Sequence, residues 1–166
     1  MTPLPFHLRP ARPDDFATLW EIDQLCFSDE IAYTPAELRQ SMNEPGAVTL
    51  LAEREDGEIA GFLVGARPRS GLGHVITIDV RPEFRSLGIG HALMQALEAR
   101  FAGNGVRRMR LEAAVNNFPA LQFYKKLGYR VVKLLPRYYP GPLDGLRLEK
   151  DLAAQPAAAT PTPSAR

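Results

Sequence analysis

The sequence predicts an α/β domain built on a mixed central sheet of about seven strands flanked by four helices. Three observations carry that expectation. Stretches with strand-like alternation and stretches with apolar residues at three- and four-residue spacing follow one another along the chain. Apolar and charged fractions of 45% and 23% over 166 residues are those of an ordinary globular domain that buries its core without staples. The third is the stretch 74–91, HVITIDVRPEFRSLGIGH, in which a β-branched run turns at Arg81-Pro82-Glu83 and leads into glycines that open a helix.

Residues 6–9 read as a short first strand. Pro13-Asp14-Asp15 starts a helix with apolar positions Phe16, Leu19, Trp20, Ile22, Leu25 and Cys26, and acidic residues in that first turn suit the helix dipole. Residues 27–32 are a loop. The second helix is marked by Thr34 as N-cap, Pro35 at its first position and Glu37 closing a capping box, with Tyr33 and Leu38 placed as a hydrophobic staple. Strands at 48–53 and 59–66 join around Asp56-Gly57, a good tight-turn pair. A loop at 67–73, with Pro68 and two glycines, precedes the strand that begins at Val75. The glycine-started helix carries Leu93, Met94, Leu97 and Phe101 on one stripe and stops at Gly103-Asn104-Gly105.

Residues 107–113 alternate, with Met109, Leu111 and Ala113 on one face and Arg108, Arg110 and Glu112 on the other. An asparagine cap then opens a helix with Leu121, Phe123, Tyr124 and Leu127, ended by Gly128. Final strands at 129–135 and 143–152 are separated by a loop at 136–141 that holds Tyr138 and Tyr139. The domain is thus expected over 1–152. Residues 153–166, AAQPAAATPTPSAR, have nothing to bury and read as a disordered tail.

Composition bounds the function classes. Twenty basic residues against nineteen acidic give a net charge of +1, so no global field recruits nucleic acid or an anionic membrane. The Arg107-Arg108-Met109-Arg110 cluster reads as a solvated strand face. One cysteine, Cys26, excludes an internal disulfide, suits a reducing compartment and reads as a small core residue rather than a nucleophile. Three scattered histidines and that cysteine offer no metal-ligand spacing. With no signal peptide or apolar run of membrane-spanning length, a cytoplasmic protein is expected.

A strand feeding a glycine-bearing helix start presents unpaired backbone N–H groups with the helix dipole behind them, which is an anion site. Its spacing fits neither GxxxxGK[ST] nor GxGxxG followed by an acidic residue about twenty positions on. Arg85-Ser86-Leu87-Gly88-Ile89-Gly90 instead resembles the (R/Q)xxGx(G/A) pyrophosphate loop of the GNAT superfamily of acetyl-CoA-dependent N-acetyltransferases. Leu111-Glu112, Asn117, Phe123-Tyr124 and Leu127-Gly128-Tyr129 resemble the LE…N…xY…LGF signature of the same enzymes. The order of elements is also theirs, and the resemblance covers residues 6–152. Within the superfamily the chain is most similar to the ribosomal-protein alanine N-acetyltransferases and related protein N-terminal acetyltransferases. They share the Glu–Asn–Tyr spacing and a YYP-type segment, here Arg137-Tyr138-Tyr139-Pro140.

The resemblance implies acetyl transfer from acetyl-CoA, as co-substrate, to a primary amine, by direct attack in a ternary complex. The acceptor it implies is a protein or peptide N-terminus. A small-molecule amine is the alternative, and an idle acyl-CoA-binding regulator is the reading from another class. Such chemistry asks for a base at the amine, a donor at the oxyanion and a proton for the departing thiolate. The resemblance assigns Glu112 as base and Tyr124 as acid. Backbone groups of Ile78, Asp79 and Val80 would pair with pantetheine like an added strand. Arg85 and the amides of Ser86, Leu87, Gly88, Ile89, Gly90 and His91 would hold the pyrophosphate, and Asn117 the arm of the cofactor. Phe27, Tyr138 and Tyr139 would face the acceptor. No metal, nucleic acid or membrane is expected, and the assembly would be a monomer or homodimer.

Each residue also has a plain structural reading: Glu112 as partner of neighbouring arginines, Tyr124 as core, Asn117 as helix cap. The chain departs from its relatives in four places, one of them the loop at 27–32, which lacks the sequence of the ribosomal enzymes. Asp79 stands where they usually carry a small residue, and is expected either to compete with Glu112 as base or to pair with Arg81 or Arg85. Phe118-Pro119 replaces small residues after Asn117, and Ser86-Leu87 replaces more basic ones in the loop.

Overall fold

A computed structural model describes residues 5–152. Its elements follow the expected order: β1 (Phe6–Pro10), α1 (Phe16–Cys26), α2 (Pro35–Met42), β2 (Val48–Arg54), β3 (Ile59–Arg69), β4 (Leu72–Val80), α3 (Ile89–Ala102), β5 (Arg108–Ala114), α4 (Phe118–Lys126), β6 (Arg130–Tyr139) and β7 (Leu143–Asp151). Short 3-10 turns occupy Pro13–Asp15 and Pro82–Phe84, so the first helix begins as a tighter turn than its sequence suggests. The seven strands form one mixed sheet in the order β1-β2-β3-β4-β5-β7-β6. Only β4 and β5 pair in parallel. The tail at 153–166 lies outside the described residues.

Local chemistry explains the helix starts. Thr34 Oγ1 accepts the Glu37 N–H at 3.1 Å and Glu37 Oε1 accepts the Thr34 N–H at 2.9 Å, which is the expected capping box with Pro35 inside it. Tyr33 and Leu38 pack in the same apolar cluster, as a staple requires. Asn117 caps α4 through Oδ1, which accepts the Ala120 N–H at 3.3 Å.

Two apolar layers hold the sheet. On one face Leu93, Met94, Leu97 and Phe101 of α3 meet Leu63, Val75, Met109, Leu111 and Leu148. On the other, Leu19 and Ile22 of α1 and Leu38 of α2 meet Leu51, Phe62 and Val64.

Two expected loops are strand. Where a loop was read at 67–73, β3 and β4 continue into a hairpin whose last pair is Arg69 with Leu72. Gly71 turns it at φ +79°, and Pro68 falls where the register is irregular and no ladder N–H is needed. Likewise β6 runs on through the expected loop at 136–141 as far as Tyr139, which pairs with Leu143. β6 is the sheet edge, so Pro136 costs no interior hydrogen bond. Arg137 makes the irregularity at φ +51°, its N–H donated to Asp144 Oδ1 at 2.9 Å. Tyr138 and Tyr139 therefore stand at a strand end, not in a loop.

A bulge in β4 shapes the centre of the sheet. Val64 pairs with Thr77 but Gly65 with Val75, leaving Ile76 as the extra residue. Ile76 packs on the α1–α2 side, and Thr77 and Asp79 follow on that side opposite Val64 and Phe62. Ile78 and Val80 turn to the α3–α4 side. β4 pairs with β5 only at Leu72–Arg108, Gly73–Met109 and His74–Arg110. Beyond His74 the two strands part, and the facing edges of 75–80 and 111–114 have no ladder partner across the gap among the described residues.

Gly61 keeps β4 in place there. A Cβ at this position would meet the Asp79 carbonyl oxygen at 2.6 Å and the Val80 Cα at 3.1 Å, both backbone atoms that only a strand shift can clear. Gly61→Ala is expected to lower stability by about 1–3 kcal/mol, read as a lower urea midpoint with unchanged slope. Gly103→Ala, where the nearest atom lies at 3.5 Å, serves as a control expected to stay within about 0.5 kcal/mol of the parent.

Candidate active site

The gap between β4 and β5 is floored by an ionic network. His74 is the last residue of β4 paired to β5, and its Nε2 lies 2.7 Å from Glu112 Oε1 across the fork. Arg147 on β7, directly opposite Glu112 in the β5–β7 register, donates Nε to the other carboxylate oxygen at 3.2 Å. Burial of the Glu112 carboxyl opposes its charge. The hydrogen bonds and charges of His74 and Arg147 outweigh that and hold it below the usual carboxylate range. Both readings of Glu112 therefore meet in one place: it has an arginine partner, though Arg147 rather than its neighbours along β5, and it stands at the mouth of the fork.

Neither His74 nor Arg147 is marked by the sequence. The pairing of β5 with β7 and the parting of β4 from β5 bring them to Glu112.

Tyr124 lies on α4 with its ring buried between Phe123 and Tyr129, at centroid distances of 5.4 and 6.1 Å. Tyr129 donates its hydroxyl to Glu98 Oε2 at 2.7 Å, whereas the Tyr124 hydroxyl is neither occluded nor engaged among the described residues. Burial, followed by the negative charge of Asp79, raises the Tyr124 pKa, so the group keeps its proton. Tyr139 is raised in the same direction by burial and then by Tyr138, Glu112, Tyr124 and Tyr33.

Tyr138 packs edge-on against Tyr139, ring centroids 4.9 Å apart, and is 47% exposed at the rim. The turn after them leans on the α1–α2 segment: a Cβ on Gly141 would lie 3.2 Å from Glu30 Oε2. Phe27, half-buried, begins that segment at the C-cap of α1.

At the far end of β4 the chain enters α3 through left-handed residues. Ser86 has φ +65°, and Gly88, the N-cap of α3, has φ +86°. This bend turns the first amides of α3 outward without intrahelical partners. Ser86, Leu87 and His91 are exposed, Ile89 is buried as a helix anchor, and Gly90 leaves room for Phe123 of α4, whose Cζ would stand 3.1 Å from a Cβ there. Arg85 is exposed and folds back, its Nε donating to the Val80 carbonyl at 3.0 Å. The open edge of 78–80, the positive-φ bend and the amides behind it form a continuous track. Outward amides at a helix start suit the oxygens of a diphosphate, and a strand edge without a ladder partner suits an extended amide chain.

The expectation for Asp79 needs correcting. Its carboxyl is 1% exposed and turned toward α1 by the bulge, with Thr77 donating to it at 2.6 Å. It makes no ion pair with Arg81, which holds the Ile59 carbonyl and Glu21 instead, nor with Arg85. Cys26 donates its thiol to the Val80 carbonyl at 3.3 Å, and burial pushes the thiol pKa up to about 11, which suits packing rather than attack. Among the described residues no group of three metal-ligating side chains occurs, and no helix is long and apolar enough to cross a membrane.

Comparison with known proteins agrees with this geometry. Residues 16–129 match the Acetyltransferase (GNAT) family. The chain is 34% identical over 149 residues to an N-alpha-acetyltransferase of Sulfurisphaera tokodaii, covering 81% of this chain and 86% of that protein. It is 38% identical over 96 residues to an uncharacterized N-acetyltransferase of Methanocaldococcus jannaschii, covering 57% of this chain but only 61% of that protein's length. The crystal structure of Ard1 from Thermoplasma volcanium superposes with a TM-score of 0.81 at 26% identity, covering 89% of this chain and 97% of that one. The parted strands, the glycine bend and these likenesses lead to one conclusion: the chain belongs to the GNAT family and is an acetyl-CoA-dependent N-acetyltransferase.

Proposed function

We propose that this enzyme acetylates the N-terminal α-amine of a protein or peptide. The observation that carries the reading is the parted β4–β5 fork, with the His74–Glu112 contact at its floor and a tyrosine wall at its rim. Acetyl-CoA bound along β4 supplies the acetyl thioester. The chain's own residues supply the rest. Backbone groups of 78–80 hold the pantetheine amides, and Arg85 with the amides of 86–91 holds the pyrophosphate. Asn117 keeps its capping bond and borders the same arm.

The attacking amine gives its proton to the Glu112–His74 pair as the new C–N bond forms. Tyr124 gives its proton to sulfur as the C–S bond breaks, so the thiol leaves neutral and the proton count balances. A carboxylate held low by His74 and then by Arg147 is a weak base, which matters for the acceptor. An α-amine has a pKa near 8 and a lysine amine near 10.4, so at neutral pH far more of the α-amine is already neutral. The tyrosine wall and the Glu30–Gly141 contact narrow the approach to a chain end. The names of the S. tokodaii and other relatives support the same acceptor.

Three expected outcomes test this reading. Acetyl-CoA at 100 times its Kd should add about 2.7 kcal/mol to stability, read as a raised Tm. Gly88→Val should abolish that rise, because a β-branched residue is strained at φ +86° and blocks close approach to the amides. An unchanged Tm for the parent protein at millimolar ligand would remove the cofactor assignment.

Tyr124→Phe keeps the ring packing and removes one hydroxyl. Steady-state rates with thiol-release detection should show kcat lower by about 10²-fold or more with acetyl-CoA affinity unchanged. Full activity would leave Tyr124 as core alone.

The acceptor is tested by mass spectrometry on peptides with a free N-terminus, with a blocked N-terminus and free lysine, or with both, beside polyamines and free amino acids. Acetyl is expected on the α-amine, and the preference should weaken in the Tyr138→Ala/Tyr139→Ala double variant. Acetyl found only on lysine or only on small amines would overturn this acceptor and leave the acetyltransferase itself standing.

A further inference from the structure

Two carboxyls are buried together beside the site. Asp23 on α1 and Asp79 on β4 are each 1% exposed, within the apolar layer of Leu19, Ile22, Phe62 and Val64. Asp23 Oδ2 accepts the Tyr33 N–H at 2.7 Å, and Asp79 Oδ1 accepts the Thr77 hydroxyl at 2.6 Å. The remaining oxygens, Asp23 Oδ1 and Asp79 Oδ2, are fully occluded and have no other partner among the described residues. The two carboxyls lie within hydrogen-bonding reach of each other. Two acceptors can satisfy one another only if a proton lies between them, and two bare anions in an apolar layer would be costly.

We propose that Asp23 and Asp79 share one proton through these oxygens and act as a positioning pair that clamps the α1–α2 segment to β4, thereby setting how the acceptor peptide sits. The claim rests on the acceptor reading above. Tyr33 ends the segment that begins at Phe27 and leans on the β6–β7 turn through Glu30, so one wall of the acceptor approach hangs from Asp23. Asp79 lies in the stretch of β4 that would hold the cofactor arm. The pair thus joins the two halves of the ternary complex, although neither residue touches the reacting atoms.

The surroundings favour retention of the shared proton at neutral pH. Around the pair stand the Cys26 thiol from α1, Tyr33 from the segment, Thr77 on β4 and Tyr124 from α4, with Ser41 of α2 against Tyr33. The cation acting on Asp79 is Arg85. Burial first, then the hydrogen bond and charge of Asp23, raise the Asp79 carboxyl well above the usual range. An acid raised in the folded state binds more protons folded than unfolded, so its contribution favours the fold at low pH and weakens as pH rises through the folded value. At alkaline pH the proton leaves, the two anions repel, and the segment should loosen.

The experiment compares the full-length parent with Asp79→Asn and Asp23→Asn, since either amide can donate where the shared proton stood. The first readout, independent of activity, is the hydrogen-exchange protection factor of the Tyr33 amide from neutral to mildly alkaline pH. The second is the KM of a free-N-terminus peptide at saturating acetyl-CoA. In the parent, protection should fall and KM rise by about tenfold, the size of one pKa unit of linkage, while kcat and acetyl-CoA affinity hold. Asp23→Asn should match the parent at neutral pH, and both variants should lose the alkaline change. Because the same amine titrates in every sample, the difference between proteins is what reads the pair. A flat protection profile in the parent, or the same alkaline fall in whichever amide variants fold, overturns the shared proton. A normal protection response with no change in peptide KM overturns the positioning role and leaves the acetyltransferase reading untouched.

Discussion

The parting of β4 from β5 after three residue pairs is the constraint on which the rest of the structure depends. Parallel neighbours in the middle of a sheet ordinarily stay joined, and here the bulge at Ile76 bends β4 away. The cost is a row of backbone groups on 75–80 without ladder partners. In the proposed complex a ligand with a peptide-like arm would pair with them, which would make the gap in the sheet the cofactor track. Gly61 on β3 and the apolar stripe of α3 hold the bent strand from behind. At the strand's end, the left-handed bend through Ser86 and Gly88 delivers the helix amides to where a diphosphate would lie.

Electrostatics then divides the site by burial. At the fork, Glu112 keeps its charge because His74 and Arg147 compensate it, and their exposure to the gap lets that charge act on an incoming amine. On α4 the Tyr124 phenol is held protonated by burial and then by the charge of Asp79. In the proposed mechanism these would be the ionised base and the protonated acid that acyl transfer to an amine requires. Behind them Asp23 and Asp79 lie buried, the first accepting the Tyr33 N–H of the α1–α2 segment and the second the Thr77 hydroxyl of β4.

Much of this was legible in residue order. The capping box at Thr34 and Glu37, the apolar stripe of α3 and the alternation along β5 are local signals, and local physics decides them. Loops were the weaker reading. Pro68 and Pro136 look like strand breakers, yet both fall at irregular register, where the missing N–H costs nothing. That is a property of the partner strand, which the segment itself does not encode.

The sequence by itself determined the element order, the glycine bend and the resemblance that singled out Glu112 and Tyr124, because each rests on residues near one another in the chain. Only the tertiary structure decided the partners. His74 reaches Glu112 across 38 residues and Arg147 reaches it across 35, through strand pairings that no local pattern records. Asp79 shows the point most plainly. Alternation alone puts Val75, Thr77 and Asp79 on one face, but one extra residue at Ile76 reverses the parity of everything after it. The carboxyl that a reader of the sequence would aim at the cleft is thereby turned inward to meet α1. A side-chain period of two makes a single-residue slip enough to exchange the faces, and only the pairing with β3 says where that slip occurs.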